Sequence, residues 1–251
     1  MKKILLIGST GFIGKKLKKE LNKDYDLICP IRKNGFDITK KNIIKKYLND
    51  NIDVVINLSG QQNMSPNKMV DTIYNGNLNI IEISKKIKKK LILIYVSTSL
   101  VYGNKETIQN EKSKINPINL YEKTKYKIEK KYFKHCKNFL VLRLCNIYGN
   151  NSKTGIVKLI LDSIKNKKIF KFDNLNTSKN FIHIDDVIKI ISCLIKKKIK
   201  NKVLNVGNEN VNFKDLARFL SQITQNRFRF QNKDININLT LTQKINNRLI
   251  K

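Results

Sequence analysis

The chain opens on an apolar run, Ile4-Leu5-Leu6-Ile7, with no helical spacing, which reads as a buried strand. After a glycine-rich turn, Phe12, Ile13, Leu17 and Leu21 recur at helical spacing and lysines fill the other face. The alternation then repeats. Asp26-Leu27-Ile28-Cys29 is a second strand, and Thr39 is placed to cap a helix through about Leu48. Asp53 to Leu58 is a third strand ending at Ser59-Gly60, followed by a helix over about Lys68 to Lys89, interrupted near Asn75-Gly76. Leu91 to Val96 is a fourth strand, Tyr121 to about Lys134 a helix, and Phe139 to Leu144 a fifth strand. Near-continuous apolar strands alternating with helices predict an α/β fold, a doubly wound parallel sheet of the Rossmann type.

Past about residue 150 the order loosens. The pattern gives a helix over Gly155–Lys165, short strands near Ile169–Phe172 and Phe181–His183, an amphipathic helix from Asp185 to Ile195, a strand at Val203–Gly207 and a helix over Phe213–Ile223. The last ~25 residues are polar and weakly patterned. We therefore expect residues 1–150 to form the main sheet and residues 151–251 a reduced cap, with 203–207 returning to the sheet.

The first turn carries chemistry. Gly8-Ser9-Thr10-Gly11-Phe12-Ile13-Gly14 places three glycines at three-residue spacing between strand and helix. Glycines let the backbone approach a pyrophosphate, and the helix N-terminus offers free N–H groups and partial positive charge. A dinucleotide cofactor is expected there; a tight turn that binds nothing has the same local pattern.

Composition changes the picture little. The formal charge of +32 is extreme, but only six of the 51 basic residues are arginine. The lysines spread over nearly every helix surface, as in Lys85-Lys86-Ile87-Lys88-Lys89-Lys90, and aromatic residues do not interleave with them. Lys, Asn and Ile all have A/T-rich codons, and solvated helix faces explain the charge better than a nucleic-acid site. A nucleic-acid-binding or scaffold protein on this fold is the competing reading. Such a field would still steer in a polyanionic substrate. Cys29, Cys136, Cys145 and Cys193 lack metal-ligand spacing and fit reduced thiols in a cytoplasmic protein, with no metal site expected. No apolar run approaches the roughly 20 residues of a membrane span, and the first run is too short for a secretory signal.

Tyr121 and Lys125 stand at i and i+4 and would share one helix face. An ammonium beside a phenol stabilises the phenolate and would lower the tyrosine pKa toward acid–base use. The same spacing also arises on any lysine-rich surface helix. Ser97-Thr98-Ser99 ends the fourth strand, where a doubly wound sheet opens its ligand crevice. These hydroxyls suit a substrate carbonyl or alcohol, and equally a capped loop.

Five segments in order carry a resemblance. They are Gly8-x-x-Gly11-x-x-Gly14, Ser97-Thr98-Ser99-Leu100-Val101-Tyr102-Gly103, Tyr121-x-x-x-Lys125, Arg143-Leu144-Cys145-Asn146-Ile147-Tyr148-Gly149 and Phe181-Ile182-His183-Ile184-Asp185-Asp186-Val187. Over residues 1 to about 220 the chain resembles the extended short-chain dehydrogenase/reductase family, the NAD(P)-dependent nucleotide-sugar epimerases, dehydratases and 4-ketoreductases. The resemblance implies Tyr121 as acid/base, Lys125 on the nicotinamide ribose and Thr98 as the accompanying hydroxyl. Cofactor contacts would come from Gly8, Thr10, Gly11, Phe12, Ile13 and Gly14. Asp37 and Ile38 would lie at the adenine, and Leu58, Ser59 and Gly60 beside the cofactor. Thr98, Ser99, Asn146 and Lys179 would meet a nucleotide-sugar substrate. Family members often form homodimers through two helices, which are lysine-rich here.

Departures from the family pattern narrow the expectation. Dehydratases of the family carry Asp-Glu directly after the catalytic Thr; Ser99 and Leu100 stand there, which disfavours water loss. The second strand ends in Pro30-Ile31-Arg32-Lys33 without the acidic residue that NAD-preferring members place on the ribose. Arg32 could pair with a 2′-phosphate, so NADP is at least as well suited as NAD. Lys179-Asn180 replaces an Arg-Asp, keeping charge but losing bidentate geometry. A 4-ketoreductase or epimerase is the function expected.

Overall fold

The computed structural model describes residues 1–60, 64–103, 108–166 and 177–224. It falls into two compact units, Met1–Cys145 with Ile184–Val206, and Asn146–His183 with the chain from Gly207. The strands in chain order are β1 (Lys3–Ile7), β2 (Asp26–Ile28), β3 (Val54–Asn57), β4 (Ile92–Thr98), β5 (Phe139–Leu144), β6 (Asn146–Tyr148), β7 (Ser178–His183), β8 (Lys202–Val206) and β9 (Glu209–Asn212). The helices are α1 (Phe12–Leu21), α2 (Lys41–Tyr47), α3 (Pro66–Val70), α4 (Gly76–Ser84), α5 (Leu120–His135), α6 (Ile156–Lys165), α7 (Ile184–Lys196) and α8 (Phe213–Thr224).

In the first unit six parallel strands run in the order β2-β1-β3-β4-β5-β8. The order reverses beside β1, so the carboxyl ends of β1 and β3 flank the switch point where such sheets bind ligands. Leu5, Ile7, Val55, Leu93, Tyr95 and Val141 share one buried cluster with residues of α2, α4 and α5. The alternate set, Ile4, Leu6, Ile56, Ile94, Leu140 and Leu142, is also buried. On α1 and α7, which pack together, Leu17, Leu21, Val187, Ile191 and Ile195 are buried. Covering both faces is why these strands are apolar at nearly every position. Each such side chain contributes roughly 1.5–3 kcal/mol by leaving water.

The segment read as one interrupted helix over 68–89 is α3, a π-helical turn at Asp71–Asn75, and α4. Asn75-Gly76 does not break it. A Cβ on Gly76 would stand 2.8 Å from Ile38 Cγ2, so glycine lets α4 lie against Ile38. The π turn loosens the carbonyl ladder, and Asn77 Nδ2 donates to Ile73 O at 2.6 Å. The helix ends at Ser84, five residues short of the expected Lys89, where the chain turns and the Lys88 amide donates to Asp50 Oδ1 at 2.9 Å.

The run expected over Val203–Gly207 holds β8, Lys202–Val206, which returns to pair with β5. In the second unit β6 pairs parallel with β7, and β7 antiparallel with β9. β6 and β9 are three- and four-residue strands, too short to show a period in the sequence. The strand expected near 169–172 and the weakly patterned C-terminal residues beyond 224 lie outside the described residues.

Candidate active site

The turn after β1 is built by its glycines. Gly8 takes φ +86° with Leu58 so close that a Cβ would meet its backbone carbon at 3.2 Å. Gly11 N–H donates to Gly8 O at 3.1 Å, and a Cβ on Gly14 would stand 2.1 Å from the same oxygen. The helix therefore starts directly over the turn. Gly11 is its N-cap and has no side chain to cap it, which leaves first-turn amides such as those of Phe12 and Ile13 for a ligand. Thr10 is exposed beside them.

The turn after β3 is tied down from below. Asn57 Oδ1 accepts from Ser59 N–H at 2.9 Å, Asn57 Nδ2 donates to Asn77 Oδ1 at 2.8 Å, and Tyr132 Oη donates to the same Asn77 oxygen at 2.8 Å. Leu58 N–H donates to Ile7 O, and Gly60 takes φ +95°. Above this turn lies a pocket of about 520 Å³ lined by Arg32, Ser59, Gly60, Met64, Ser65, Lys68 and Thr72. Arg32, in a short 3₁₀ turn, donates from Nη2 to Thr72 Oγ1 at 3.4 Å. Ser59 Oγ is buried and has no hydrogen-bond partner among the described residues. An orphan hydroxyl, two cations and a glycine turn fit the phosphorylated end of a dinucleotide.

Asp37 and Ile38 are used locally. Asp37 Oδ1 accepts from Thr39 N–H and Thr39 Oγ1 at 2.9 and 2.8 Å. Burial pushes the Asp37 carboxyl up, but those bonds and Arg32 outweigh it and hold it below its ordinary value. The Ile38 side chain is in the core beside Gly76.

The catalytic candidates converge on α5. Asn119 Oδ1 accepts from Glu122 N–H at 3.0 Å while Glu122 Oε2 accepts from Asn119 N–H, a capping box that starts the helix at Leu120. Tyr121 is thereby held in the first turn with Lys125 one turn on. Lys125 is buried; its Nζ donates to Val96 O at 2.9 Å and lies 5.1 Å from the Tyr95 ring centroid and 5.7 Å from that of Tyr121. Val96 precedes Ser97 and Thr98 on β4. Thr98 Oγ1 accepts from Leu100 N–H at 3.2 Å, starting the 3₁₀ turn Ser99–Tyr102. The Ser99 hydroxyl is hydrogen-bonded to the Cys145 thiol.

The electrostatics differ from the sequence expectation. Burial pushes the Tyr121 phenol up to about 12, with Glu122 adding to it, whereas the spacing predicted a lowered value. Lys125 Nζ is spent on the Val96 carbonyl and the ring faces, so desolvation of the phenolate dominates. Burial also lowers Lys125 to about 8, opposed by Glu129.

Sequence reasoning missed the groups beneath. Glu129 and Arg143 form a buried ion pair, with Arg143 Nη2 donating to Glu129 Oε2 at 2.7 Å and Nε to both carboxylate oxygens. Ser97 Oγ donates to Glu129 Oε1. Arg143 Nη1 donates to Tyr102 Oη at 2.7 Å, and Tyr102 Oη donates to Asn205 Oδ1 at 2.8 Å. The one signal in the sequence was the spacing of Glu129, four residues past Lys125.

Asn146 and Lys179 belong to the second unit. Asn146 Nδ2 donates to Asn180 O at 3.0 Å across β6 and β7, and Lys179 pairs in register with Val211. Among the described residues no His/Cys/Asp/Glu group could hold a metal, and no helix is long and apolar enough to cross a membrane.

A parallel sheet with a glycine turn at its switch point and a Tyr–Lys helix beside the β4 tip defines a dinucleotide-dependent class. Residues 4–207 match the family model for the NAD dependent epimerase/dehydratase family, and the chain belongs to that family. It is 28% identical to dTDP-D-glucose 4,6-dehydratase of Dictyostelium discoideum over 89% of this chain and 62% of that one, so it spans under two thirds of that relative's length. Its structure resembles UDP-glucuronic acid 4-epimerase from Bacillus cereus in complex with NAD (TM-score 0.79, 25% identity, 91% of this chain and 85% of that chain). RMD from Pseudomonas aeruginosa complexed with NADPH shares the fold (TM-score 0.77, 21% identity, 91% and 86% covered).

Proposed function

We propose that the chain is an NAD(P)-dependent nucleotide-sugar 4-ketoreductase or epimerase. The observation that carries the reading is the pairing of Tyr121 and Lys125 on one face of α5, with Lys125 Nζ held on Val96 O beside the Thr98 end of β4.

The glycine turn, the first amides of α1, Ser59 and Gly60 would hold the dinucleotide, with Arg32 and Lys68 on a 2′-phosphate. Lys125 would bind the nicotinamide ribose. Bound there, the reduced dinucleotide supplies the hydride that the ketone carbon takes up. Tyr121 Oη gives its proton to the ketone oxygen, so ketone becomes alcohol and phenol becomes phenolate. Thr98 hydrogen-bonds the same oxygen and orients it. In an epimerase the proton moves first the other way, from the sugar hydroxyl to a Tyr121 phenolate as the sugar carbon gives up its hydride, and both return, the hydride to the opposite face, after the sugar turns over. No carboxylate directly follows Thr98 to drive water loss, which argues against dehydration. In this reading Ser99 contributes to the substrate site beside Thr98, and the unpaired cysteines suit the cytoplasm.

The test is turnover of UDP-, dTDP-, GDP- and CDP-linked 4-keto sugars with NADPH and NADH. Reduction by the wild type and its loss in Tyr121→Phe are expected. Equal turnover in the variant overturns the mechanism. Tight RNA binding at physiological salt, with no titratable dinucleotide, would favour the nucleic-acid-binding alternative.

A further inference from the structure

Tyr121, Lys125 and Glu129 occupy three successive turns of α5, each about 5–6 Å from the next at Cβ. Lys125 and Glu129 are both buried, and each is fixed to the end of β4: Lys125 Nζ to Val96 O, Glu129 Oε1 by the hydroxyl of the adjacent Ser97. Arg143 on β5 holds the Glu129 carboxylate through Nε and Nη2 and reaches Tyr102 through Nη1. One polar cluster thus joins α5, β4, β5 and the turn after Thr98.

We infer that Glu129, held by Arg143 and Ser97, is a positioning residue that serves as the counter-charge for Lys125 and fixes α5 against the β4 tip. The inference rests on the reading above in which Lys125 meets the dinucleotide. Lys125 faces Tyr121 and Glu129 on its own helix and the Tyr95 ring and Val96 carbonyl on β4; Arg143 on β5 reaches it through Glu129. Of these, Glu129 alone carries negative charge toward it. Burial works against the ammonium and Glu129 works for it, leaving the lysine near about 8. Without Glu129 the ammonium would give up its proton at lower pH.

Three proteins test this: wild type, Glu129→Gln, and the double variant Glu129→Leu/Arg143→Met, which leaves no buried charge alone. Dinucleotide affinity is measured by fluorescence titration of NADH between about pH 6 and pH 10, with folding checked by circular dichroism. Wild-type affinity should fall about tenfold as the pH rises through the Lys125 transition. In Glu129→Gln the midpoint should move down by about one to two pH units. The double variant should lie between, because it loses the unfavourable Arg143 charge as well. Lys125→Met should bind weakly and without this transition. A folded variant of either kind with the wild-type midpoint overturns the role given to Glu129. Wild-type protein that binds no dinucleotide overturns the functional reading instead.

Discussion

The carbonyl oxygen of Gly8 lies 2.1 Å from where a Cβ on Gly14 would stand. The contact is backbone to backbone, so no side chain can swing aside. We expect Gly14→Ala to cost about 1–3 kcal/mol in urea unfolding and to weaken dinucleotide binding as α1 is pushed off its turn. Gly35→Ala is the control: it has open space but φ +82°, and should cost about 1 kcal/mol with binding unchanged.

Lys125 is costly to keep. Its fall from 10.5 to about 8 corresponds to about 3 kcal/mol at neutral pH. The unfolded chain holds more protons between about pH 8 and 10.5, so this penalty shrinks as the pH rises through that window. Lys125→Met should therefore be more stable than wild type at pH 7 by about 1–3 kcal/mol, less at pH 10, and inactive. Denaturant midpoints at the two pH values check the sign.

Tyr121→Phe should lower turnover by about 10²–10⁴-fold while dinucleotide binding stays within a few-fold. On the proposed reading the acid form of Tyr121 is the one that protonates a ketone, and it persists up to about 12. Loss of reductase rate on the alkaline side should then follow Lys125 near about 8. A profile with one alkaline limb near the ordinary tyrosine value would contradict this assignment.

Arg32 and Lys68 line one pocket with the orphan Ser59 hydroxyl. Arg32→Ala should weaken NADPH about tenfold or more and leave NADH nearly unchanged. Equal losses for both cofactors would mean that Arg32 only holds Thr72.

What the sequence revealed and what it hid divide along contact distance. The β1 turn and α1 were legible because Gly8, Gly11 and Gly14 are neighbours in the chain, and the helical spacing from Tyr121 likewise showed α5. Glu129–Arg143 and Asn57–Asn77–Tyr132 join residues far apart in sequence, which periodicity cannot see. Spacing placed Lys125 beside Tyr121 but could not say that the ammonium would face the ring and the Val96 carbonyl. Gly76 read as a break because a helix glycine looks like a stop until Ile38 stands against it. Lys68 was hidden among many lysines, and only the pocket sets it apart.

β8 closes the first unit's sheet, yet it is synthesised only after the excursion through Asn146–His183 and α7. A nascent chain that has reached β5 therefore carries a complete Tyr–Lys helix and glycine turn beside an unpaired, apolar strand edge. Until Lys202–Val206 emerges, that edge is open to any extended segment, including β8 from a neighbouring copy. Translational pausing or truncation before Val206 would thus divert this chain toward strand-exchanged aggregates rather than toward a smaller working unit.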